Sequence, residues 1–239
     1  MSRRFLPATL LCLAWSSFAA KNATANQDTL ETVARRIVLP KIELNEVPLR
    51  KALQQIRSLS IQEDDQPDPS IRGIDIVLLA RAPEENATKV SLHRLGISVD
   101  QAVKLVAAQA GHQSYYEWNA VVVATPKRYA ALTRHRDQRS AKADFRMERQ
   151  LKMIIFPKFS ANGRSLTAVL GEIEESSKQL ASVPEPAVRF DWNLPKGKLD
   201  QTIELDCAAM PLWSLIDYVA AISDIDFEIR PGEIMFHPN

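Results

Sequence analysis

Four histidines, two cysteines and two acidic clusters are the residues with chemistry to offer in this chain of 239 residues. His93, His112, His135 and His237 are dispersed, with no His-x3-His or Cys-x2-Cys spacing, so the sequence brings no zinc ligand set together. His93 follows a strand pattern and His112 a helix pattern, and both are expected at the surface. Cys12 falls in the apolar N-terminal stretch, which leaves Cys207 alone and without an internal disulfide. No histidine lies in a matching local pattern, so Cys207 reads as a buried structural thiol rather than a nucleophile. The acidic loop over 62–70 lacks the alternating acids and central glycine of a calcium loop. Glu172, Glu174 and Glu175 read as the solvated face of a helix. There is no Gly-x-Ser-x-Gly elbow and no phosphate-cradling glycine loop. The expectation is a non-enzyme with no catalytic residue, cofactor or metal.

The better candidates are for partner contact. Tyr115, Tyr116 and Trp118 share one hairpin strand, so Tyr116 and Trp118 face one way and Tyr115 and Glu117 the other. An exposed Tyr115 beside an open strand edge would suit capture of a partner by strand addition; the alternative packs all three around the helices. Residues 126–150 carry eight Lys or Arg against three acids, among them Arg134, Arg136 and Arg139. Their apolar stripe is thin: Tyr129, Leu132 and Phe145. This stretch reads as a solvated connecting helix, with contact to an anionic membrane surface or an acidic protein face as the alternative.

The elements that must position these residues come from a repeat. Pro40, Lys41, Leu49, Leu53 and Ile56 align with Pro157, Lys158, Leu166, Leu170 and Ile173 without a gap. In the first copy the spacing predicts a strand over 37–44 with Val38, Pro40, Ile42 and Leu44 on one face. Pro40 would lie at an edge or a bulge. Pro48 opens a helix carrying Leu49, Ala52, Leu53, Ile56 and Leu59. Strands follow over 74–79 and 89–92, then a helix opened by Ser98 and Gln101 and stopped by Gly111, then a hairpin over 114–125. The second copy keeps the order. A strand over 202–205 matches 89–92, Pro211 opens the second helix, and a hairpin turns at Pro231-Gly232.

At the N-terminus, Arg3-Arg4 precede an apolar run over 5–20 and small residues to Ala25, the pattern of an export signal cleaved near Ala25. The alternative is a retained anchor. The formal net charge of +1 favours neither nucleic acid nor membrane. Asn86-Ala87-Thr88 matches a glycosylation acceptor.

Ile42-x-Leu44-x-x-Val47-x-Leu49-x-x-Ala52-Leu53-x-x-Ile56 resembles the short N-terminal domain shared by secretins and TonB-dependent transducers. So do Val90-Ser91-Leu92, the run from Ile97 to Val103, and Tyr116-x-Trp118 followed by Val121-x-Val123. Two departures stand out. Family members carry this module in front of a barrel or pore, and these residues contain none. The second copy also has Val169-Leu170 for Ala52-Leu53, and Met210-Pro211-Leu212-Trp213 for Ile97-Ser98-Val99-Asp100. The resemblance implies an α+β fold of two tandem βαββαββ domains, each a small mixed sheet with two helices packed on one face. The expected organisation is a signal peptide (1–25), a lead-in (26–36), a first domain (37–125), a basic helical linker (126–150) and a second domain (151–239). It implies an exported, periplasmic, non-catalytic interaction or assembly module of the bacterial envelope. The expected partner is an envelope protein such as a secretin or outer-membrane transport component, with no nucleic acid and at most peripheral membrane contact. The alternatives are a small-ligand binder or enzyme using the cleft between the domains, or a spacer set by a rigid linker.

Overall fold

The computed structural model describes residues 29–67, 72–80, 88–117, 119–142, 145–161, 163–181 and 188–239. The export segment, Trp118, the end of the acidic loop at 68–70, and Asn86 and Ala87 of the glycosylation motif lie outside the described residues. The fold is α+β with several small sheets.

The Thr29 hydroxyl caps helix α1 (Leu30–Arg36) by accepting from the Thr32 N–H. Strand β1 (Val38–Pro48) leads into α2 (Leu49–Glu63), which buries Leu49, Ala52, Leu53 and Ile56 at helical spacing. Strands β2 (Ile76–Leu78) and β3 (Lys89–Ser98) follow. Helix α3 (Val99–Gln109) is capped by the Ser98 hydroxyl, which accepts from the Gln101 N–H. The hairpin β4 (Gln113–Tyr116) and β5 (Val121–Ala124) comes next. The basic stretch forms two helices, α4 (Pro126–Lys142) and α5 (Phe145–Met153). Beyond it lie β6 (Ile155–Ser160), β7 (Arg164–Ser165), α6 (Leu166–Leu180) and β8 (Arg189–Trp192). The short helix α7 (Lys196–Leu199), β9 (Thr202–Ile203), β10 (Asp206–Pro211), α8 (Leu212–Ser223), β11 (Ile225–Arg230) and β12 (Glu233–Pro238) complete the chain.

The strand pairings of 38–124 have counterparts in 155–238. Ribbons β1–β3 and β6–β10 are antiparallel, β5 runs parallel to β2 as β12 does to β8, and hairpins β4–β5 and β11–β12 are antiparallel. The correspondence reaches single residues. Ser60 and Ser177, both buried, each donate a hydroxyl hydrogen bond to the carbonyl three residues back, at 2.8 and 2.7 Å. Each half thus holds a ribbon and a three-stranded mixed sheet rather than one continuous sheet, and the second half adds the short β7–β9 pair. The partner of β6 is β10, not the strand expected at 202–205; β9 pairs instead with β7.

The expected parity of β1 is also corrected. Leu39, Ile42 and Leu44 are buried, whereas Val38 is 50% exposed and Pro40 is exposed. Alternation breaks because Pro40 lies opposite Gly96, which has φ of 60°. Phe156 and Phe159 repeat the break around Pro157, and the residue opposite is Ala209 with φ of 47°. Further along β1, Asn45 and Glu46 oppose the single Ser91, a bulge in which the Glu46 N–H donates to Ser91 Oγ at 3.0 Å.

The core has two clusters. Ile76, Leu78, Val121 and Val123 pack into the first, with α2 and α3. Val77, Leu79, Val122 and Ala124, on the opposite face of the same strands, pack into the second with α8. The β2–β5 strands are therefore buried on both faces, and not only under their own helices. Burying each valine on the second face is worth about 1.5–2 kcal/mol, so the halves adhere through apolar area. Helix α8 lies within this second cluster and is buried on every side, Asp217 included.

Candidate functional site

The hairpin aromatics and the basic helix, read separately in the sequence, meet in one place. Tyr115 stacks on Tyr129 of α4, with ring centroids 3.7 Å apart and planes 6° off parallel. About two turns further along, Arg136 donates through Nη1 to Glu117 Oε1 at 3.1 Å and through Nε to Asp217 Oδ2 at 2.7 Å. Arg139 donates to the other Asp217 oxygen and, at 2.5 Å, to Asp226 Oδ1 on β11. His135 Nδ1 lies 2.7 Å from Asp226 Oδ2. The Tyr218 hydroxyl donates to Glu117 Oε2 at 2.6 Å.

Burial sets the electrostatics. Asp217 is fully buried and Arg139 is 7% exposed, with its guanidinium 4.1 Å from the centre of the Phe227 ring. Burial pushes the Asp217 carboxyl up, against the pull of Arg139 and Arg136. Burial alone would also raise Asp226, but the Phe227 N–H, Arg139 and His135 together hold it below the usual carboxylate range. Burial and the Glu117 carboxylate push the Tyr218 hydroxyl well up, so it stays a donor. The arrangement is a set of mutually paired charges that fastens α4 to α8, β11 and the β4–β5 turn, with Arg136 Nη2 and Arg139 Nε buried and without a hydrogen-bond partner among the described residues. It offers no free nucleophile.

A cleft of about 280 Å³ lies where the halves meet, lined by Arg50, Gln54, Arg57, Glu204 and Asp206 among others. Its arginines are paired: Arg50 Nε with Glu204 Oε2 at 2.7 Å, and Arg57 Nε with Asp75 Oδ1 at 2.8 Å. Asp75 also accepts the Ala208 N–H, at 2.6 Å. Burial raises the Asp75 carboxyl despite Arg57. Cys207 is buried beside them, and burial followed by the Asp75 charge pushes its thiol well up. A thiol buried and held neutral in this way is a weak nucleophile. Among the described residues no three His, Cys, Asp or Glu side chains come together as a metal site.

The third surface is the ribbon β1–β3. Among the described residues each strand pairs with the other alone. Gln109 takes both main-chain groups of Ser91, at 3.0 and 2.9 Å, and so closes that end of the outer edge of β3. Beyond it Leu95 is 76% exposed, next to Leu105 at 42%. Both line one shallow hollow with Arg94 and Lys104.

The residues singled out from the sequence therefore divide. Tyr115 and Arg136 join the same cluster, and Arg139 is spent inside it. Tyr116 packs on the first core and donates to Asp100. Arg134 alone of the three arginines is exposed. Trp118 is outside the described residues. His93 is exposed as expected, but His112 is buried, its Nδ1 2.7 Å from the Ala110 carbonyl, because the chain turns back under α3 there. Asp217, Asp226 and Glu117 were missed, although one acid inside the apolar run of α8 is a visible signal. Among the described residues no helix is long and apolar enough to cross a membrane. No protein-family model, no curated protein and no solved structure matches this chain.

Proposed function

We propose that the chain is two tandem βαββαββ modules, resembling the short N-terminal domain of secretins and TonB-dependent transducers. In this reading it is exported and works in the bacterial envelope as a non-catalytic protein-interaction module, with the β1–β3 ribbon as its contact face. The recurrence of strand pairings between 38–124 and 155–238 supports the tandem reading.

One observation carries the choice of face. On β10 the outward N–H of Ala208 is taken by Asp75 of the other half. The matching position on β3 is Leu95, opposite Lys41 as Ala208 is opposite Lys158. Leu95 is exposed, and among the described residues no carboxylate accepts its N–H. A strand edge flanked by Leu95 and Leu105 accepts an extended segment of an envelope protein, with backbone hydrogen bonds for affinity and the leucines for register. The cleft is the weaker alternative because its arginines are already neutralised.

The test compares affinity capture from envelope extract by the chain from Asn26 onward and by the same chain carrying Leu95→Glu and Leu105→Glu. Loss of specific envelope proteins from the double variant supports the reading. An identical set of captured proteins, or none with either chain, overturns it. Recovery of the protein in the cytoplasmic fraction would overturn the export part alone.

A further inference from the structure

We propose that helix α5 (Phe145–Met153) is a docking face for an anionic phospholipid surface. The helix buries Met147 and Leu151 against the second core cluster. Its opposite side presents Phe145, 79% exposed, and Met153, 70% exposed. At 100° per residue these two lie about 80° apart around the helix and about 12 Å apart along it. Lys152, Arg149 and Arg146 fall on the same arc, spanning about 120° in all. Two large apolar side chains standing in water among three cations is the composition of a helix that lies in a lipid interface.

Charge complementarity selects the occupant. The only carboxylate on α5 is Glu148, 17% exposed and tied to Lys152 at 2.5 Å. Arg149 is exposed and has no ion pair among the described residues. Lys152 keeps 54% of its side chain exposed. An acidic protein face would match the cations but would not require Phe145 and Met153 to stand clear of the surface. A bilayer takes both: the phosphates meet the cations and the apolar pair enters the acyl boundary. This is a separate surface from the β1–β3 ribbon, so it stands or falls independently of the protein-contact reading.

The test is co-sedimentation of the chain from Asn26 onward with vesicles of phosphatidylglycerol and phosphatidylcholine, against vesicles of phosphatidylcholine alone. The expected result is binding only to the anionic vesicles, released by about 0.5 M salt, where surface charge is screened. Arg149→Ala should lower the partition about fivefold, the effect of one cation near an anionic membrane. Phe145→Ser with Met153→Ser should lower it about tenfold through lost apolar burial. Lys51→Ala, exposed on α2, should leave it unchanged. All these side chains are exposed, and circular dichroism checks the fold. Absence of binding, equal binding to both vesicle types, or equal loss in the Lys51 variant overturns the proposal. So does binding to immobilised polyglutamate without binding to vesicles.

Discussion

Asp75 holds the two halves of the chain through one carboxylate: Oδ2 accepts the Ala208 N–H at 2.6 Å while Oδ1 accepts Arg57 Nε at 2.8 Å. The first bond crosses to the edge of β10 and the second fixes the side chain from α2. Asp75→Ala leaves both donors unsatisfied in a largely buried place. The expected loss is about 2–4 kcal/mol in urea unfolding. Asp75→Asn keeps a carbonyl acceptor and should cost less. Equal costs for the two would show that the side chain acts by volume and not by its bonds.

Pro40 faces Gly96 and Pro157 faces Ala209, both with positive φ. Nothing lies within 4 Å of a Cβ built on Gly96, so Gly96→Ala meets only backbone strain. It should destabilise by about 1 kcal/mol, and Ala209→Gly should stabilise by up to about 1 kcal/mol. Thermal unfolding should show shifts of opposite sign. Shifts of the same sign would mean that packing, not φ, decides one of the sites.

Asp217 neutralises Arg136 and Arg139 where no solvent reaches it. Asp217→Ala takes from Arg136 and Arg139 the carboxylate they share, leaving each with one acid, Glu117 and Asp226 respectively, and should cost about 3 kcal/mol. Arg134→Ala, on the exposed side of the same helix, should stay within about 0.5 kcal/mol of the parent. Chemical denaturation of the two variants side by side checks this. A small cost at Asp217 would place the cluster in contact with water.

The same cluster predicts a pH response. The folded-state value of Asp226 lies below its ordinary 3.8, because the Phe227 N–H, Arg139 and His135 outweigh the upward push of burial. Its contribution to stability is therefore complete above about pH 5 and disappears as the pH falls through and below the ordinary carboxylate value. Asp217, pushed up by burial, works in the opposite sense: the folded state takes up its proton first, and acid relieves its cost. Asp226→Asn should flatten the fall of the urea midpoint between about pH 5 and 2. An unchanged slope would show that other carboxylates govern acid unfolding.

The sequence by itself determined the local elements and their repetition. Apolar spacing placed α2, α3, α6 and α8, since a helix must turn one stripe to a core. Ser98 marked the start of α3, and Pro40 marked the break in the ribbon, though not the parity on either side of it. The tertiary structure alone decided what those elements face. Nothing in the basic run of α4 distinguishes a solvated arginine from a buried one. The difference lies in Asp217 and Asp226, which the fold brings to these arginines from 78 to 87 positions away, and in Glu117, 19 positions away. Likewise, the valines of β5 face cores on both sides only because the second core cluster closes over the outer face of the first sheet. Period and propensity are local properties and can be read along the chain. Pairing of charges and burial of a second face are properties of distance in space, and those needed the folded molecule.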